Sequence, residues 1–89
     1  MNKTELIEEL AERTDSSIEE TRRSVDAFES AVAAALGNGE EVRITGFGKF
    51  YVQERGPREG TNPQTNWRVH IPASKVPKFK AGNVLKRAV

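Results

Sequence analysis

The chain has no cysteine, one histidine, one tryptophan and one tyrosine among its 89 residues. Without cysteine it can form neither a disulfide nor a thiolate metal site, and it suits a reducing, cytoplasmic setting. The lone His70 lies among basic residues with no carboxylate close to it in sequence, so it is read as a surface strand residue or a phosphate neighbour. No catalytic group, metal site, cofactor or small-molecule substrate is expected. Gly46-Phe47-Gly48 is followed by strand-like sequence, not by a helix that could cradle a phosphate, and is read as a strand turn. The start, Met1-Asn2-Lys3-Thr4-Glu5, lacks the apolar stretch of a signal peptide. No apolar run approaches the ~20 residues of a membrane span.

Charge is present, but unevenly. Residues 1–48 carry five Lys/Arg against eleven Asp/Glu, and residues 49–89 carry nine against two. The second half is therefore the candidate polyanion surface. A small domain with 36% hydrophobic residues and only four Phe beside Trp67 and Tyr51 has a modest core.

Hydrophobic spacing divides the chain. Asn2 with Glu5 starts a helix whose apolar face is Leu6, Ile7, Leu10 and Ala11. Ser17 to Glu20 is a capping box for a second helix over about 18–36, with Ile18, Val25, Phe28, Val32 and Leu36 in one stripe. Gly37-Asn38-Gly39 ends it. The period then falls to two. Val42 and Ile44 form one strand, and Phe50 and Val52 alternate with Lys49, Tyr51 and Gln53 on the next. Trp67, Val69 and Ile71 alternate on a return strand, and Pro72 and Pro77 restrict the segment 72–77 to extended or edge positions. Phe79 is expected to be buried between outward Lys78 and Lys80, and a last helix should turn Val84, Leu85 and Ala88 inward. The expected fold is α+β: a helical hairpin (1–38), a three-stranded antiparallel sheet (39–82) with an extended ribbon arm over about 54–72, and a short C-terminal helix (83–89). Phe28, Val32, Leu36, Phe47, Phe50 and Phe79 exceed what one thin layer can cover and are read as the core of a dimer.

The segment Arg58-Glu59-Gly60-Thr61-Asn62-Pro63-Gln64-Thr65 sets a proline among turn formers on a basic ribbon. That suits reaching along a DNA groove and pressing an apolar ring between base pairs. Arg55, Arg58, Arg68 and Lys75 lie on or at the base of the hairpin. Lys78, Lys80, Lys86, Arg87 and Lys3 add further cations able to bind phosphate. No helix offers Arg, Asn or Gln to a major groove, so base readout should be poor.

Four stretches together resemble the bacterial histone-like HU/IHF family, closest to HU, across the whole chain. They are Met1 to Leu6, Gly39 to Phe50, Asn62-Pro63-Gln64-Thr65, and Ile71 to Gly82. The resemblance implies an intertwined homodimer, or a heterodimer with a paralogue, whose two arms embrace double-stranded DNA in the nucleoid and bend it largely without sequence specificity. It implies that Pro63 is the intercalating wedge and that Asn62 and Gln64 belong to the arm tip. Arg55 and Arg58 would be arm contacts, and Lys3, Lys75, Lys78, Lys80 and Lys86 phosphate contacts from the body. Two alternatives remain open: a sequence-preferring IHF-like subunit, or a protein-interaction module with a degenerate arm. Thr61, Asn66 and Trp67 depart from the family pattern. Asn66 stands where a left-handed turn residue is needed and can supply it. Trp67 could pack across the arm, stack on nucleic acid or touch a partner, with packing the expected role.

Overall fold

A computed structural model describes the backbone of residues 1–89 and every side chain but that of Ile71. The chain forms two compact units, residues 1–34 and residues 35–89. In chain order the elements are α1 (Lys3–Thr14), α2 (Ile18–Gly37), β1 (Val42–Ile44), β2 (Gly48–Arg55), β3 (Arg58–Thr61), β4 (Arg68–Ile71), β5 (Ser74–Ala81) and α3 (Asn83–Ala88).

Local chemistry sets the helix boundaries. Asn2 Oδ1 accepts the Glu5 N–H at 2.8 Å, and Ser17 Oγ accepts the Glu20 N–H at 3.1 Å, satisfying donors that a first turn leaves free. Asp15 takes a left-handed conformation (φ 52°) that closes α1, and the Ser16 N–H reaches back to Ala11 O at 3.0 Å. Gly39 (φ 77°) does the same for α2, with the Glu40 N–H on Ala35 O at 2.9 Å. In the first unit Ile7 and Ala11 are buried, together with Thr21, whose hydroxyl donates to Ser17 O at 2.9 Å. A groove lined by Leu6, Leu10, Val25 and Phe28 runs beside them and leaves Phe28 47% exposed.

In the second unit the sheet order is β1-β2-β5, all antiparallel. β5 is an edge strand, as Pro77 requires. Strand pleating sorts the side chains. Ile44, Gly48 and Ala81, then Val42, Phe50 and Phe79, then Val52 and Pro77, share one face. The ring of Phe79 lies 4.8 Å from Phe50 and 5.7 Å from Phe47 between centroids. In a single chain this apolar face is unfinished. Phe79 is 42% exposed rather than buried, although its ring meets those of Phe50 and Phe47. The inward placement expected of α3 is corrected as well. Leu85 is half-buried, but Ala88 is exposed and Val84 is 60% exposed while touching the turn at Gly46.

That turn needs its glycines. The Phe47 N–H bonds Ile44 O at 3.0 Å with Gly46 at φ 85°, a conformation that favours glycine. Gly46 O in turn accepts the N–H groups of Val84 and Leu85, anchoring α3. Gly48 is required by close approach: a Cβ there would stand 2.5 Å from Phe79 Cζ and 2.6 Å from Lys80 O. Gly48→Ala is expected to lower stability by roughly 1–3 kcal/mol or more through overpacking against backbone. Thermal unfolding of the two proteins under matched conditions measures the difference.

Candidate nucleic-acid interface

β3 and β4 pair as a separate two-stranded ribbon. Its register continues that of β2 and β5: Arg55 faces Ser74 in one ladder and Arg58 faces Ile71 in the next. The arm is thus one long hairpin interrupted where Gly56-Pro57 and Pro72-Ala73 oppose each other. Pro57 and Pro72 have no N–H to give to a ladder, so the interruption falls where the sequence removes donors.

The apex is built by its own side chains. Asn62 Oδ1 accepts the Gln64 N–H at 2.9 Å, an Asx turn around Pro63. The Asn66 N–H bonds Asn62 O at 2.7 Å, and the Asn62 N–H bonds Trp67 O at 2.8 Å. Asn66 closes the loop at φ 58°, the left-handed conformation that its short polar side chain tolerates. Pro63 and Gln64 project as exposed residues while Asn62 is half-buried. Arg58 and Arg68 are exposed on the ribbon, and Arg55 is exposed at its base.

Two expectations for the arm are corrected. Trp67 does not pack across it: the indole, next to the left-handed Asn66, is 76% exposed. His70 is not remote from carboxylates. Antiparallel register sets it opposite Glu59, whose Oε1 lies 3.8 Å from His70 Nδ1.

The second face of the main sheet carries a group of cations that the linear sequence hides. Arg43 pairs with Lys49 and Lys49 with Lys80, so three cations form one row across three strands, with Lys78 next along β5. Like charges directly opposed are unfavourable. Glu41 offsets part of this, with contacts of 3.1 Å to Arg43 and 3.4 Å to Lys49. Partial desolvation pushes the Glu41 carboxyl up, but Lys49 and Arg43 outweigh it and hold the group below the usual glutamate value. Period-two alternation together with strand register was the signal for Arg43 and Lys49. Lys78 and Lys80 are exposed as expected. Lys75 is exposed and faces Glu54 at 3.8 Å, and Lys86 is exposed on α3.

Lys3 belongs to the first unit. Its ammonium meets Asp26 at 2.8 Å and Glu29 at 2.6 Å, and those hydrogen bonds raise its pKa. A phosphate arriving at Lys3 would compete with two carboxylates.

A ribbon of cations with an apolar apex, carried on a small α+β body, defines an architectural binder of polyanions. The family model for bacterial DNA-binding proteins matches residues 1–89, and the chain belongs to that histone-like HU/IHF family. It is 51% identical to the DNA-binding protein HU of Staphylococcus aureus (strain COL) over 89 residues, which is 100% of this chain and 99% of that protein. It is 48% identical to DNA-binding protein HU 1 of Bacillus subtilis (strain 168), again over 100% of this chain and 97% of the relative. Among solved structures, an Anabaena HU–DNA cocrystal structure matches with a TM-score of 0.87 at 36% identity, covering 99% of this chain and 96% of that one. HU from Thermotoga maritima matches with a TM-score of 0.71 at 31% identity, covering 99% and 97%.

The Asx turn gives a direct expectation. Asn62→Ala removes the acceptor of the Gln64 N–H, a bond worth about 0.5–1.5 kcal/mol. Amide exchange at Gln64 should quicken several-fold, while the thermal transition of the body stays within about 1 °C of the parent, as expected for a loss confined to a locally opening segment.

Proposed function

We propose that this chain is a histone-like DNA-binding protein that bends and compacts double-stranded DNA through minor-groove arms, with little dependence on base sequence. One observation carries the reading: an exposed proline held by an Asx turn at the apex of a ribbon whose Arg58 and Arg68 are free to meet phosphate. Such an arm has no recognition helix and offers the minor groove an apolar wedge flanked by cations. A proline ring is rigid and has no N–H to leave unpaired, so its insertion needs little ordering. Unstacking one base step costs a few kcal/mol, offset when the bent duplex reaches more basic surface.

In this reading Arg55, Arg58 and Arg68 follow the groove walls, with Asn62 and Gln64 beside the wedge. Lys75, Lys78, Lys80, Lys86 and the newly recognised Arg43 and Lys49 receive phosphates along the bend. Lys3 joins by exchanging its carboxylate partners for phosphate. The working unit is a dimer, in which a second copy covers the open apolar surfaces at Phe28, Val32 and Leu36 and at Phe47, Phe50 and Phe79. Support comes from the thinness of the single-chain core: Ile7 and Ala11 are the only fully buried hydrophobic residues among those described. The region 1–38 would supply much of the association surface, and residues 54–72 the arm. Association with the nucleoid follows from DNA binding. No described helix is long and apolar enough to cross a membrane.

The bend is the property to test. Pro63→Ala should retain the dimer mass in light scattering and most of the affinity for straight duplex. It should lose bend angle, read as energy transfer between dyes on the two ends of a short duplex. A variant that bends DNA as strongly as the parent would reduce Pro63 to a turn residue.

Affinity should fall steeply with salt, with a slope of log K against log[salt] of at least about −4, since each neutralised duplex phosphate contributes about −0.9. Lys78→Ala and Lys80→Ala each remove one contact per protomer, so each should make that slope shallower by up to about two per dimer and weaken all sequences alike. Both lysines are exposed on the cationic face, so melting temperatures should stay near the parent's.

A further inference from the structure

Trp67 is the single tryptophan of the chain, and its exposure of 76% is exceeded among described large apolar side chains only by Met1 and Val89 at the chain ends. Free rotation of a loop does not explain that exposure. The backbone is held on both sides: Trp67 O accepts the Asn62 N–H at 2.8 Å, and the Trp67 N–H donates to Thr65 Oγ1 at 3.4 Å. The same Asn62 holds the Asx turn around Pro63, so indole and proline are presented by one hydrogen-bonded loop. An indole has only two side-chain torsions to order and a large face to bury, which makes it an effective contact once something covers it. Its surroundings indicate what does so. Arg68 follows it directly, and residues 55–68 hold Arg55, Arg58 and Arg68 against the single acid Glu59. A polyanion with flat aromatic faces matches both the charge and the ring.

Resting on the DNA-bending reading, we propose that Trp67 is a second apolar contact of the arm, stacking on a base that Pro63 has separated from its neighbour. Wedge and platform then act in sequence: the proline opens the step, and the indole covers a base face that would otherwise meet water. Every base has a π-face, so this contact favours distorted DNA over straight DNA without favouring one sequence. Thr61, which faces Arg68 across the ribbon, leaves the groove side of this loop with one cation fewer than its family pattern, and stacking compensates part of that loss.

The test uses the full-length protein with intact duplex and with the same duplex carrying a central two-nucleotide gap. Binding is followed by anisotropy of a dye on the DNA, so it is scored independently of tryptophan, and intrinsic emission excited beyond the absorption of Tyr51 reports Trp67. Emission should be quenched on saturation with gapped duplex, and less so with intact duplex. Trp67→Ala should lose about tenfold in affinity for gapped DNA, in line with the worth of one base–aromatic stack, and less than about threefold for intact duplex. Its salt slope should be unchanged, because no phosphate contact is removed. Trp67→Phe should recover most of the gapped-DNA preference. Saturated binding without quenching would overturn the proposal, as would a Trp67→Ala variant that keeps the full preference for the gap. Emission that changes with protein concentration in the absence of DNA would assign the ring to a contact between protein chains instead. Absence of any anisotropy change would count against the DNA reading itself and remove the basis for this one.

Discussion

Residues 35–89 depend on the pairing of β2 with β5. This ladder runs unbroken from Gly48 opposite Ala81 to Arg55 opposite Ser74. Its alternation sends Phe50 and Phe79 to one side and Lys49, Lys78 and Lys80 to the other, so one set of backbone bonds assigns both the apolar face and the cationic face. A slip of one residue would exchange the two, setting lysines among the phenylalanines. Gly48 guards this register at one end, since only a residue without a Cβ lets Phe79 and the Lys80 carbonyl come so near. At the other end the same register passes into the arm.

Much of this was legible in the chain because the signals were local. The acceptors at Asn2 and Ser17, the left-handed residue at Asn66 and the edge placement forced by Pro77 each follow from one residue and its immediate neighbours. What escaped was relational. The approach of Glu59 to His70 depends on how many residues close the apex, and the row Arg43–Lys49–Lys80 depends on the registers of two ladders at once. The exposure of Phe79 and Val84 was also not legible. Periodicity shows which face is apolar, but not how far other side chains cover it.

Electrostatics divides the candidate site into cations of two kinds. Arg43 and Lys49 share Glu41, Lys3 shares Asp26 and Glu29, and Lys75 stands near Glu54. These pairs are exposed and individually contribute little to stability. A phosphate arriving at these positions would nonetheless exchange partners, with a smaller net gain than at a cation facing only water. Arg43, Lys49 and Lys80 also repel one another across the sheet, and an incoming phosphate relieves that repulsion. The surface is therefore partly compensated by its own carboxylates.

The opposed Gly56-Pro57 and Pro72-Ala73 give the molecule something like a fuse. A continuous hairpin transmits damage: fraying that starts at its tip can run down the ladder into the sheet. Here an unzipping arm meets a stretch with few bonds left to break, and the disturbance stops before Arg55 and Ser74. Opening of the β3–β4 ribbon is therefore expected to leave the β2–β5 ladder in place. The aromatic layer beneath is insulated from whatever the tip is made to do.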